Sequence, residues 1–175
     1  MLNDALSFVH ADGQLHHDDF VYLGFIERAQ AFHLGVISAV EQGNPLAAVT
    51  LLRAYAENVA AVFWIARKPQ EFDKLRPGAK QKLPIGRVIA EAEKHLPGFK
   101  SLYDVWSDHA HPSGAGGYHT LAIDADGHMT WQSHPKFRSV AEAQQVLDWL
   151  DSICALTARI IVQTAKNRRS GTGHQ

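Results

Sequence analysis

Residues 46–66 read LAAVTLLRAYAENVAAVFWIA, and only Thr50, Arg53, Glu57 and Asn58 in that run are plainly polar. The stretch is long enough to cross a bilayer, yet Arg53 near its middle would cost about 2.5–3.5 kcal/mol there and Glu57 would add to the penalty. It reads instead as the buried central helix of a bundle. A helix that is apolar nearly all round belongs in a core, and the charges it keeps there must be paired or hydrogen-bonded. Arg53 and Glu57 are four residues apart, so they share a helix face and can meet.

Working outward, Asn44-Pro45 is a cap and first-turn signature that links this helix tightly to the one before it. That earlier helix is expected from a cap at Asp18 or Asp19 to about Gln42, where Gly43 ends it. On its wheel His33 falls at the centre of an apolar face, pointing at the core as a ligand, a proton carrier or a neutral core histidine. On the other side Pro69 ends the central helix, and residues 70–84, with Lys74, Arg76, Lys80 and Lys82, read as a surface loop with a short helical start. Helical pattern resumes over Ile85 to Leu96 and again from Phe99, the latter stopping at Ser107-Asp108-His109-Ala110-His111-Pro112-Ser113. Residues 117–134 alternate on either side of Ala125-Asp126-Gly127, which predicts a β-hairpin pairing Ile123 with Met129 and Leu121 with Trp131. A last helix is expected from Val140 to Ala165.

The fold class is therefore all-α, an antiparallel helical bundle of four to five helices with one inserted β-hairpin at about residues 117–134. With 175 residues and 46% hydrophobic content, the expectation is a single domain over 1–175, with an N-terminal arm at 1–16 and a flexible tail at 166–175. A formal charge of −1 gives no bulk attraction to nucleic acid or to an anionic membrane. The lone Cys154 excludes a disulfide framework, and the first twenty residues hold no apolar run of a secretory signal, so a cytoplasmic location is expected. Eleven histidines raise the question of metal, with His33, Glu57, His109 and His111 as the candidate set. No Cys-x-x-Cys or His-Glu-x-x-His spacing supports it, and neither metal nor cofactor is expected.

Two motifs in order, Arg53-Ala-Tyr-Ala-Glu57 and Ser107-Asp-His-Ala-His111-Pro112-Ser113, resemble those of a widespread prokaryotic all-helical family to which no reaction is assigned. The resemblance covers about residues 30–115 and implies that Arg53, Glu57, Ser107 and His111 belong to one site. Arg28-Ala-Gln-Ala-Phe-His33 is also similar to the Arg-x4–6-His motif of HEPN domains, small helical bundles that often act as metal-free ribonucleases. That similarity implies an Arg28/His33 nuclease working across a homodimer. The leading expectation is a domain that binds a small anionic or polar ligand, with weak hydrolysis as an extension. Arg53 would hold a phosphate or carboxylate, Glu57 would orient Arg53 or His111, and Ser107 and Ser113 would hydrogen-bond the ligand. His111 and Glu57 would be the acid–base pair, and His33 an added ligand contact. The remaining reading makes Arg53 and Glu57 a structural brace of an interaction module with no site.

Overall fold

In the computed structural model, which describes residues 17–75, 78–111, 120–123 and 125–171, the chain is mostly helical. Helix α1 spans His17–Glu41 and α2 spans Pro45–Arg67. A 3-10 segment at Pro69–Leu75 follows, then α3 at Ile85–His95 and α4 at Phe99–Ala110. Strands β1 (Leu121–Ile123) and β2 (Met129–Trp131) precede α5, which spans Val140–Gly171. The fold is all-α.

Helix α2 is the hub, packing against α1, α3, α4 and α5 as well as against the 3-10 segment. Its burial extends well round the helix, through Val49, Leu52, Tyr55, Ala56, Val59, Ala60, Val62, Trp64 and Ile65. The apolarity that passes a membrane-length test is thus used against other helices of the same chain. Alanines at 48, 56, 60 and 61 let those neighbours come close, and Gly35 on α1 does the same, since a Cβ there would sit 3.1 Å from the Leu51 side chain. The neighbours contribute Ala29 and Val36 from α1, Val88 and Ile89 from α3, Trp106 from α4, and Val146, Leu150 and Ile153 from α5. Each large aliphatic side chain so buried contributes about 1.5–3 kcal/mol.

The α1–α2 junction follows from its residues. Gly43 takes a φ of +68°, a left-handed geometry that glycine adopts without a Cβ penalty, and the Asn44 side chain accepts a hydrogen bond from the Ala47 N–H at 3.0 Å. Pro45 occupies the first helical turn, where its missing N–H is no loss. Replacing Asn44 by alanine is expected to lower the unfolding free energy by about 1 kcal/mol, measurable by urea denaturation with an unchanged slope.

Three boundaries differ from the sequence expectation. Helix α1 is described from His17 on, so Asp18 and Asp19 are helical residues rather than the cap expected before it. Helix α5 continues six residues past Ala165, from Lys166 to Gly171, so much of the expected tail is helical. The strands pair Leu121 with Trp131 and Ile123 with Met129, but Ile123, Met129 and Trp131 are each about 70% exposed, so this apolar face adds nothing to the core. The N-terminal arm at 1–16, residues 117–119 and 124 of the hairpin stretch, Ser113, and the last four residues of the tail lie outside the described residues.

Candidate functional site

The charged pair of α2 forms as its spacing predicts. Arg53 Nε lies 3.4 Å from Glu57 Oε1, and both side chains are about one-third exposed, at the edge of the core rather than within it. The residue that answers them from another helix is Tyr103 of α4. Its hydroxyl donates to Glu57 Oε1 at 2.8 Å, and the Arg53 guanidinium lies 5.7 Å from the centre of its ring. Contact with Tyr103 raises the Arg53 pKa, burial lowers it, and the charge of Glu57 adds to the rise. Arg53 therefore stays cationic, and the three side chains tie α2 to α4.

His111 was expected in that position and is not there. It caps the C-terminus of α4, its backbone N–H bonding the Ser107 carbonyl at 3.0 Å, and its side chain is exposed. Eight residues separate it from Tyr103, about 12 Å along a helix axis, which is too far to share one hydrogen-bonding site. Ser107 lies one turn beyond Tyr103 on the same stripe of α4, half-buried, with its Oγ shielded from water and without a partner among the described residues. His33 is half-buried on α1 with a shielded Nδ1 and no partner among the described residues. Arg28 and His33 are five residues apart on one continuous helix, about 140° round its axis. Among the described residues no three of His, Cys, Asp and Glu converge as metal ligands, and the set His33, Glu57, His109 and His111 is not assembled. Instead, His109 Nδ1 lies 2.8 Å from the Val105 carbonyl of its own helix.

What the sequence reading missed lies on the other side of Glu57. A groove of about 540 Å³ runs along the α1–α2 seam, lined by Phe20, Val21, Gly24, Phe25 and Arg28 of α1, by Glu57, Asn58 and Ala61 of α2, and by Leu75 of the 3-10 segment. Gly24 and Ala61 make the space, because glycine has no side chain and alanine only a methyl to fill it. Asn58, 4% exposed, holds the polar corner together. Its amide nitrogen donates to the Phe25 carbonyl at 3.0 Å, and its Oδ1 accepts from Arg28 Nε at 3.2 Å. Arg28 also lies over the Phe32 ring, 5.4 Å from its centre, which steadies the guanidinium along α1.

No family model, curated protein or solved structure matches this chain. Leu75 is held at the groove by the way the 3-10 segment is anchored. Phe72 is buried with its ring 5.7 Å from that of Tyr22, and Glu71 accepts from Trp64 Nε1 at 2.9 Å and from Lys74 at 3.1 Å. Those bonds, led by the one from Trp64, pull the Glu71 carboxyl below its usual range. Arg28, Asn58, Glu57, Tyr103 and Arg53 then form a line of polar groups that crosses α2 from the groove to α4. Asn58 stood out in the sequence as a fourth polar residue in the apolar run, but it matches no catalytic or ligand motif. Tyr103 carried no signal beyond being an aromatic with a hydroxyl.

Proposed function

We propose that the protein is a helical-bundle domain that binds a small amphipathic ligand with an anionic head in the α1–α2 groove. One observation carries this reading. The groove has the volume of a small-molecule site, its walls are Phe20, Val21, Phe25, Ala61 and Leu75, and its polar groups are confined to one corner made by Arg28, Glu57 and Asn58. Apolar walls bury the body of a ligand, and a guanidinium pre-positioned by Asn58 and Phe32 can grip a carboxylate or phosphate through its terminal nitrogens. Arg53 serves this site indirectly, by holding Glu57 from the far side. Binding is favoured over hydrolysis because Glu57 Oε1 is occupied by Tyr103, and His111, the expected acid or base, is exposed at a helix end. The scaffold on this reading is a bundle of four to five helices into which the segment at about 117–134 is inserted.

The test uses a fluorescent probe of the right chemistry, anilinonaphthalene sulfonate, and the variant Gly24→Leu. A Cβ at Gly24 meets nothing within 4 Å, and leucine is the better helix former by several tenths of a kcal/mol, so the variant should keep or gain stability while filling the groove. Probe affinity should fall at least tenfold in Gly24→Leu, and by roughly tenfold, about 1.4 kcal/mol, in Arg28→Ala. Probe binding that is the same in Gly24→Leu and the parent protein would place it elsewhere and sink the proposal.

A further inference from the structure

The hydrogen-bonding capacity left over in the groove's polar corner narrows the ligand further, and this step rests on the groove being the binding site. Asn58 engages its amide nitrogen and its oxygen across the seam, and with only 4% of its surface exposed it offers a ligand little more. Arg28 uses only Nε, so its two terminal nitrogens remain as donors. Glu57 uses only Oε1, which takes the Tyr103 hydroxyl and lies beside Arg53, while Oε2 has no hydrogen bond among the described residues. One cationic donor face and one carboxylate oxygen are thus left on two residues that line the same, otherwise apolar groove.

We infer that the groove takes a hydrophobic α-amino acid, or a molecule with the same zwitterionic head. The ligand carboxylate would sit on the Arg28 terminal nitrogens, its ammonium on Glu57 Oε2, and its apolar side chain between Phe20, Val21, Phe25, Ala61 and Leu75. A purely anionic head would pair with Arg28 alone and leave Glu57 Oε2 without a partner, so it should bind more weakly than a zwitterion. A neutral apolar ligand would cover both charged groups without pairing either, at the cost of their lost hydration. A zwitterion pairs both through charge-assisted hydrogen bonds, which are stronger than neutral ones. Arg53 lies beside Oε1 and shares the Glu57 charge, which leaves Oε2 as the oxygen to accept from a ligand ammonium.

The experiment is displacement of anilinonaphthalene sulfonate by L-phenylalanine, L-leucine, N-acetyl-L-phenylalanine and L-phenylalanine amide, followed by fluorescence. The free amino acids are expected to displace the probe, and the acetyl and amide derivatives, each lacking one charge, to be about tenfold weaker. Glu57→Gln should abolish the preference for the free amine over the N-acetyl form, and Arg28→Gln the preference for the free acid over the amide. Derivatives that displace as well as the parent amino acids would overturn the inference, as would amino acids that fail to displace a probe whose binding Gly24→Leu abolishes. A probe indifferent to Gly24→Leu would instead remove the groove itself. The derivative series on the unmodified protein stands even if Glu57→Gln fails to fold.

Discussion

Tyr55→Ala is expected to lower the unfolding free energy by about 3–5 kcal/mol, the range for deleting a buried aromatic side chain. Tyr55 has no exposed surface and is among the largest fully buried side chains, lying on the central helix with its ring 6.2 Å from that of Phe32. For a chain of this size such a loss lowers the midpoint of thermal unfolding by roughly 10 °C, which calorimetry would read directly. A drop of only a degree or two would mean that the core closes over the vacancy and that α2 is not the hub. Tyr55→Phe should behave differently. The hydroxyl is shielded from water and makes no hydrogen bond of good geometry among the described residues, although Thr157 and Cys154 of α5 stand beside it. Removing it should therefore change stability little near neutral pH.

The same hydroxyl makes stability depend on alkaline pH. Burial pushes the Tyr55 phenol from its ordinary value of 10.0 up to about 12, a rise that proximity to Thr157 tempers. Between those values the unfolded chain releases a proton that the folded one keeps, so the unfolded state binds fewer protons and stability falls as pH rises. The contribution is fully present below pH 10.0 and is lost as pH rises towards about 12. Denaturation curves across that window should show a downward slope in the parent protein that is shallower in Tyr55→Phe. Equal slopes would assign the alkaline loss to other groups.

Asn58→Ala is the second large effect, because one side chain serves both stability and the site. It joins α1 to α2 through the Phe25 carbonyl and Arg28, and it is nearly wholly buried. Losing buried hydrogen bonds of this kind costs about 1–3 kcal/mol. The distinguishing readout is affinity. Without Asn58 the Arg28 guanidinium keeps its place over Phe32 but loses the bond that fixes its Nε, so probe binding should weaken several-fold even at temperatures where the variant is fully folded. A variant that is destabilised yet binds the probe normally would make Asn58 a structural tie and separate Arg28 from it.

How much of this was legible beforehand differs from element to element. The α2 helix, its Asn44-Pro45 start and its end before Pro69 all follow from local rules, because capping, proline geometry and apolar periodicity act over a few residues. The Arg53–Glu57 pair is legible for the same reason, being set by helical spacing alone. What α4 presents to that pair was not. Sequence favoured His111 and Ser107 because they carry recognisable chemistry, while the helix–helix packing brings Tyr103 instead and leaves His111 exposed at the cap. The groove was likewise out of reach. Gly24 and Ala61 are ordinary small residues until two helices bring them to one groove, and the bond between Arg28 and Asn58 links residues of different helices.

By itself, then, the amino-acid order determined a helical chain built round residues 46–66 and the ion pair on that helix. Both depend on intervals of three or four residues, which the backbone enforces wherever a helix forms. The tertiary structure alone decided which side of Glu57 is open, which aromatic closes the other side, and where Arg28 points. Those depend on crossing geometry between helices whose contacting residues lie 30 or more positions apart, as Arg28 and Asn58 do, and no local periodicity encodes that distance.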